Sequence, residues 1–590
     1  MDDAREGMER GARNIVAFVL AWVRSNPAGL ATVAVLIGIG AGLGAIAFRD
    51  LILWFTILFS GHADYSAAGH AAHPWVPALG MWFVVIAPVV GGLIYGPLVD
   101  RFAREARGHG VPEVMYAVAE QRGRIRPRVA VVKSLASALC IGSGGSVGRE
   151  GPIVQIGSAL GSTVGQALRL STSRLRLLVA CGAAGGISAT FNTPIAGVFF
   201  ALELILRDFE AESFGVVVLA SIAASIVGRA AFGSRPFLEL PPFQISSLTE
   251  YLLYLGLGLI SGIAGVGFIR ILYGFEDVSD RLWRGPEWLR PAVGGLLLGG
   301  LILALPQMYG VGYPVLESGI RGSYPIGTLA LLWAAKLIAT SLTIAIGGSG
   351  GVFAPSLFQG AMLGSAYGMT AQKLFPGVVT TPGAYGLVGM GALFAATSRA
   401  PITAAIILFE LTGQYRIILP LMFAIVVATA ISRLLTPDTI YTLKLRRRGI
   451  DLRRGRRNDL MDEIHVREAM QALPEALLRR LPIKDAISRF AIDDVDALPV
   501  VDDSGRFHGV LSRELVERSM PDHDMDLQIG SLAIQSASVR ESASLRTALA
   551  LLVRERSGLP VLAEDGQRVV GWLSHRDVLN AYARTAAQRG

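Results

Sequence analysis

The sequence predicts an all-α polytopic membrane domain made of two repeats of broken helices, followed by a smaller cytosolic α/β domain that is itself duplicated. Three observations carry this. The chain is 52% hydrophobic with 69 glycines in 590 residues and a mean hydropathy of +0.49, too apolar for a water-soluble protein of this length. A glycine-rich motif at residues 142–152 returns 203 positions later. A Leu-Pro-Val motif starting at Leu498 returns 61 positions later.

Residues 1–27 read as a cytosolic amphipathic segment. Asp2, Asp3, Arg5, Glu6, Glu9, Arg10 and Arg13 precede an amphipathic run through Arg24, without the basic-then-apolar start or small-residue cleavage site of a leader peptide. The membrane domain is expected over 28–445. Ala28–Phe48 is the first uncharged run long enough to span, roughly 20 residues being needed, and Trp75–Val99 is another. Later apolar runs are short and interrupted by Gly or Pro, as in Pro194–Leu206 and Pro401–Leu411. Such helices at matching places in two halves point to a midplane substrate site in a transporter. Irregular backbone is tolerated at that depth where protein encloses a cavity. Cys140 and Cys181 lie in apolar runs and make no case for a disulfide or a metal site.

Gly142–Pro152 holds five glycines, two serines and one acid, Glu150, between apolar runs. Ionisable groups at membrane depth are costly and mark functional candidates. Bare backbone N–H groups ahead of a helix suit an anion, and Pro152 suits the helix's first turn. A tight turn with an interfacial glutamate is the other reading of this loop taken alone. The second copy decides: nine positions of Gly144–Ser162 agree with Gly347–Ser365, with Val352-Phe353 in place of Arg149-Glu150. Gly108-His109-Gly110-Val111-Pro112 matches Gly310-Val311-Gly312-Tyr313-Pro314 at a shift of 202, Lys133 matches Lys336 at 203, and Pro194 with Glu203 matches Pro401 with Glu410 at 207. The repeats are placed at about 75–232 and 250–435.

Lys444 to Arg457 contains eight basic residues against one acid, Asp451. The positive-inside rule puts this end in the cytoplasm, so 446–463 reads as a basic linker. It also accounts for most of the net charge of +8, so nucleic-acid binding is not invoked. From about Ile464 to the end the composition is that of a soluble domain. Ala497–Gly505 aligns with Gly558–Gly566, and Gly509–Ser512 with Gly571–Ser574 after one residue of slippage. Each copy reads as strand, turn, strand and helix.

The second duplication resembles a tandem pair of CBS domains, in which a Ser/Thr-x-x-Asp holds a nucleotide ribose. Ser574-His-Arg-Asp577 fits that pattern, while Ser512-Arg-Glu-Leu515 lacks the acid. An adenine nucleotide and a purely structural role both stay open. In the membrane domain, Gly-x-Gly-x-Pro, Gly-Arg-Glu-Gly-Pro, Gly-Gly-Val-Phe-Ala-Pro and a tyrosine before the cytosolic tail resemble, in this order, the CLC family of chloride channels and proton/chloride exchangers. The resemblance implies a homodimer with one pore per subunit in the lipid bilayer, built from two inverted halves whose helix N-termini face a central chloride. It implies a multi-pass protein of a bacterial-type inner membrane with both termini in the cytoplasm, and it calls for no cofactor beyond transported chloride.

By the same resemblance Glu150 is the gating glutamate, the backbone N–H groups of Val352 and Phe353 bind chloride, and Tyr441 donates its hydroxyl to the same ion. Context alone would make Tyr441 an interfacial aromatic. Where many members have a serine, this chain has His109, which leaves two readings: the imidazole donates to the ion, or backbone Gly110 does. Exchangers carry two adjacent acids after Phe-Asn-x-Pro, the second accepting protons from inside. Here the pair is Glu203-Leu204, and Leu204 does not titrate. Glu203 is the remaining proton-pathway candidate, although its repeat mate Glu410 suggests a structural part for both. A magnesium transporter with CBS domains would need converging oxygens. No metal-ligand cluster, nucleophile–base pair or phosphate-binding lysine motif argues for an enzyme. The expected function is therefore passive, voltage-gated-type transport of chloride and other small anions through a channel. Proton/chloride exchange is the alternative.

Overall fold

The computed structural model describes residues 26–590, except 239, 241–242, 244–246, 380, 453–459, 473–475, 494–495, 520–525, 554, 556–557 and 590. The amphipathic segment expected before residue 26 and the four arginines Arg453, Arg454, Arg456 and Arg457 lie outside the described residues. The chain divides into Met1–Ile450 and Asp451–Gly590.

The described elements of the first unit are helices. Its first half contains α1 (Pro27–Ser60), α2 (Phe83–Phe102), α3 (Val111–Ala119), α4 (Arg128–Gly142), α5 (Glu150–Ala167), α6 (Thr172–Phe191), α7 (Pro194–Phe200) and α8 (Ala211–Phe232). Its second contains α9 (Glu250–Leu282), α10 (Arg290–Ala304), α11 (Tyr313–Ile320), α12 (Ile326–Ala345), α13 (Phe353–Leu374), α14 (Gly383–Ser398), α15 (Pro401–Thr412) and α16 (Ile418–Leu435). Eight described helices match eight in order, so the duplication begins at Pro27 and not at about residue 75. The extra helix hides from motif alignment because α1 and α9 share length, 34 and 33 residues, and not wording. The span expected from Trp75 also starts later, at Phe83. Pro77–Leu79 is a 3-10 turn, closed by Gly80 at φ +51°. Among the described residues six helices are long and apolar enough to cross a membrane.

Local chemistry sets the helix ends. Asn26 accepts a hydrogen bond from the Ala28 N–H, Pro27 opens α1, and Gly61 closes it at φ +73°, a backbone state that favours glycine. Proline opens both short helices, α7 and α15. The helices before them end in the left-handed residues Asn192 and Arg399, again 207 apart. Glycines let the paired helices touch. A Cβ on Gly157 would lie 2.1 Å from the Gly182 carbonyl oxygen, and one on Gly360 would lie 2.3 Å from that of Gly389. The same close crossing is thus built twice, α5 on α6 and α13 on α14.

The first basic residues after Tyr441 are not linker. They form α17 (Thr442–Arg447) and the residue after it, and they are ion-paired within this unit: Lys444 to Glu276 at 2.6 Å, Arg446 to Asp438 at 2.6 Å, Arg447 to Asp277 at 2.7 Å and Arg448 to Glu113 at 2.6 Å. Cys140 and Cys181 are buried and free.

Among its described residues the second unit holds two small sheets. β2 (Leu477–Leu478), β3 (Ala497–Val501) and β4 (Phe507–Ser512) form one, in that order. β1 (Gln471–Ala472), β7 (Val569–Leu573), β6 (Leu559–Leu562) and β5 (Val539–Arg540) form the other. Each has a parallel pair and an antiparallel hairpin. The hairpins are irregular at Val500/Val501 and Val561/Leu562, 61 residues apart, so the duplication reaches down to the register shift.

Candidate functional site

The loops that precede α5 and α13 meet at a local two-fold. Gly148 and Gly351, which are repeat mates, form an antiparallel bridge with reciprocal hydrogen bonds of 2.7 and 2.6 Å. A residue pairing with its own counterpart places the pseudo-symmetry axis between them. The loop before α3 joins this centre. Gly108 bridges Ser349, and a Cβ on Gly151 would fall 1.9 Å from the His109 carbonyl oxygen. Four helix N-termini, those of α3, α5, α11 and α13, are therefore drawn toward one region, where their unpaired N–H groups and dipoles favour negative charge.

Two buried lysines fix these loops. Lys133 donates to the carbonyls of Ala106 and Gly108 at 2.9 and 2.8 Å. Lys336 donates to Ser146 Oγ at 2.8 Å and to the carbonyls of Gly310 and Val311 at 3.0 Å. The two amino groups, 203 positions apart, hold the corresponding loop in each half.

Glu150 is 1% exposed. Its Oε1 accepts from the Tyr313 hydroxyl at 2.8 Å, and its Oε2 accepts from the Ala354 N–H at 3.3 Å. The carboxylate thus sits at the N-terminus of α13, where an anion would be held. A Cβ on Gly148 would lie 2.0 Å from Oε2, so a side chain there would displace the carboxylate. Val352 and Phe353, both buried, open the same helix. Phe353 packs on Phe394 with ring centroids 4.5 Å apart. Tyr313 and Ala354 are site residues that the sequence reading missed. Tyr313 stood inside the repeated motif, but its partner lies 163 residues away, and no periodicity reports that.

His109 is 3% exposed, and neither ring nitrogen has a hydrogen-bond partner among the described residues. Gly110, beside it, has φ +83°, and a Cβ there would crowd the Gly151 carbonyl oxygen at 2.6 Å. Tyr273 lies 6.2 Å from the His109 ring and donates to the Ile440 carbonyl at 2.5 Å, next to Tyr441. Tyr441 is buried at the start of α17 and within electrostatic reach of Glu150.

Glu203 and Glu410 are elsewhere and do a matched thing. Glu203 accepts from Ile402 N at 3.3 Å, Thr403 N at 2.9 Å and Thr403 Oγ1 at 2.7 Å. Glu410 accepts from Ile195 N at 3.0 Å and Ala196 N at 2.7 Å. Each carboxylate caps the short helix of the other half. Leu204 is 5% exposed. It lies in a π-helical stretch, Ala201–Leu206, where the sequence suggested an ordinary helix.

In the second unit Asp577 accepts from Ser574 N at 2.9 Å, Ser574 Oγ at 2.6 Å and Gln471 Nε2 at 2.6 Å. The chain's own amide thus occupies the carboxylate that the resemblance gives to a ribose. Among the described residues no group of three His, Cys, Asp or Glu side chains is placed to hold a metal ion.

The fold and this centre define a multi-pass membrane protein of duplicated broken helices that converge on an anion site. The family model for voltage gated chloride channels matches residues 91–433, and that for CBS domains matches 466–518 and 530–584. The chain belongs to the CLC family, with a C-terminal tandem CBS pair. A ClcB-like protein of Ralstonia nicotianae is 35% identical over 423 residues, covering 71% of this chain and 97% of that protein. The H(+)/Cl(-) exchange transporter ClcA of Vibrio campbellii is 37% identical over 59% of this chain and 76% of its own length. The structure of a slow cyanobacterial Cl-/H+ antiporter superposes with a TM-score of 0.63 at 25% identity, covering 71% of this chain and 97% of that one. Anion transport is the activity of the family.

Proposed function

We propose that this chain exchanges chloride for protons across the membrane, with Glu150 as the gate that both ions use. One observation carries the gate: the Glu150 carboxylate occupies the N-terminus of α13, accepting the Ala354 N–H that a permeating anion would take. A carboxylate in that seat blocks anions until it is protonated or displaced. Val352, Phe353, Gly110, His109 and Tyr441 surround the next position inward and supply the chloride ligands. The names of the Vibrio and cyanobacterial relatives support exchange over the passive channel expected from the sequence. We assign Glu203 and Glu410 to capping, the homodimer to the working form, the cytoplasm to both termini, and the CBS pair to modulation.

A channel is the second reading, and Leu204 favours it. An apolar, non-titrating side chain stands at the inner position where exchangers of the family usually carry an acid. The zero-current voltage of reconstituted protein in symmetrical chloride under a proton gradient separates the two. An exchanger moves it toward the proton potential, whereas a channel leaves it near zero. A voltage that stays at zero at every gradient replaces exchange with the channel.

A further inference from the structure

We propose that Tyr313 is a latch: its hydroxyl, supplied by the second repeat, holds the Glu150 carboxylate in the anion seat and sets how readily the gate opens. The inference rests on the reading of Glu150 as the gate.

The repeat symmetry argues for this pairing. Glu150 in the first half corresponds to Phe353 in the second, and Tyr313 in the second corresponds to Val111 in the first. At one symmetry position the chain therefore places a carboxylate against a phenol, 2.8 Å apart. At the related position both members are apolar. If Tyr313 served only to start α11, the same job would be done in α3 by a residue without a hydroxyl, and it is: Val111 starts α3. Only the presence of the acid gives the hydroxyl a partner.

The phenol is also held in place. Its ring meets Phe237 edge-on at 4.9 Å, and Phe237 meets Phe191 at 5.3 Å. The Arg149 guanidinium sits among these three rings, 5.2 Å from the Phe191 and Phe237 centroids and 5.4 Å from that of Tyr313. Cation–π attraction to three faces holds the cation, which pins the residue next to Glu150 and the ring that donates to it. Phe191 continues to Phe353 at 6.2 Å, so the cage reaches the helix whose N-terminus seats the carboxylate.

The groups facing the gate are then Arg149 on its own element, Tyr313 from α11, the Ala354 N–H from α13, and, at electrostatic range, Lys336 from α12 and Tyr441. Of these, Tyr313 is the hydroxyl bonded to the carboxylate, and it can be altered by one atom with its ring and the cage kept. A charge-assisted hydrogen bond in a desolvated site corresponds to about a tenfold bias or more in a two-state equilibrium. Removing it eases escape of the unprotonated carboxylate from its seat. Flux should therefore rise most where Glu150 is charged and least where it is already protonated.

The test is chloride flux from liposomes, at mildly acidic and at neutral pH, for the wild type, Tyr313→Phe, Glu150→Gln and the double variant. The latch predicts that Tyr313→Phe raises flux at neutral pH by roughly tenfold and shrinks the acid-to-neutral flux ratio by the same factor. The double variant should behave as Glu150→Gln does, since the hydroxyl then has no carboxylate to hold. It also shows that the Phe substitution leaves a working protein. If Glu150→Gln loses the pH response while Tyr313→Phe keeps the wild-type ratio, the latch is overturned and the gate stands. If Glu150→Gln itself keeps the wild-type response, the gate reading fails first.

Discussion

His109 is a buried imidazole with no partner on either nitrogen among the described residues. Every neutral imidazole carries one N–H donor, and burying a donor without an acceptor costs about 1–3 kcal/mol. Such a group is tolerated where a ligand or solvent completes it, and this one stands beside Gly110 at the N-terminus of α3. His109→Ser should therefore leave the melting temperature nearly unchanged, because no protein hydrogen bond is lost. Chloride affinity by calorimetry, or the chloride-to-nitrate flux ratio, should change. If both match the wild type, the Gly110 backbone makes the contact and the imidazole faces away.

At the scale of elements, the two short helices depend on each other's half. α7 and α15 start with proline and have no side-chain cap of their own. Glu410 and Glu203 supply it from across the pseudo-two-fold. Each carboxylate satisfies two backbone donors, and Glu203 also takes the Thr403 hydroxyl. Glu203→Ala orphans those donors and should lower stability by about 1–3 kcal/mol, read as a lower melting temperature in detergent. Glu203→Gln keeps an acceptor and should lie between. Proton coupling in the folded fraction of either variant should match the wild type. A Glu203→Gln protein of normal stability that has lost coupling would return this residue to the proton pathway.

Across the whole molecule two duplications are stacked in sequence, one in the membrane unit and one in the CBS pair, and both have diverged at their chemistry. The membrane repeats keep the loops, lysines and caps, but only the first glycine-rich loop carries an acid, Glu150. The CBS repeats keep the hairpin irregularity, but only the second carries the aspartate of the Ser-x-x-Asp motif, Asp577. That aspartate already accepts from Ser574 and Gln471, so a nucleotide ribose must displace the Gln471 amide. Calorimetry on the full chain with adenosine triphosphate should give tighter binding for Gln471→Ala and none for Asp577→Ala. Equal binding by wild type and Asp577→Ala places any nucleotide elsewhere.

By itself the sequence determined the class of protein, the two duplications and the helix breaks, and it singled out Glu150, the acid that the structure seats against the Ala354 N–H. Those features are local, or they recur at a constant offset: glycines at positive φ, prolines at first turns, an acid in a glycine loop. It also showed that Leu204 leaves the inner position without a titrating group. The first helix was legible as a span, but its place in the first repeat escaped because any apolar run of that length satisfies a membrane, so no motif marks it. What only the tertiary structure decided is which groups face each other. Tyr313 on Glu150, Glu203 on Thr403, Gln471 on Asp577 and Arg448 on Glu113 join residues 106–335 positions apart. A hydrogen bond needs its partner within about 3 Å, and chain order carries no record of that distance once the backbone has turned back on itself.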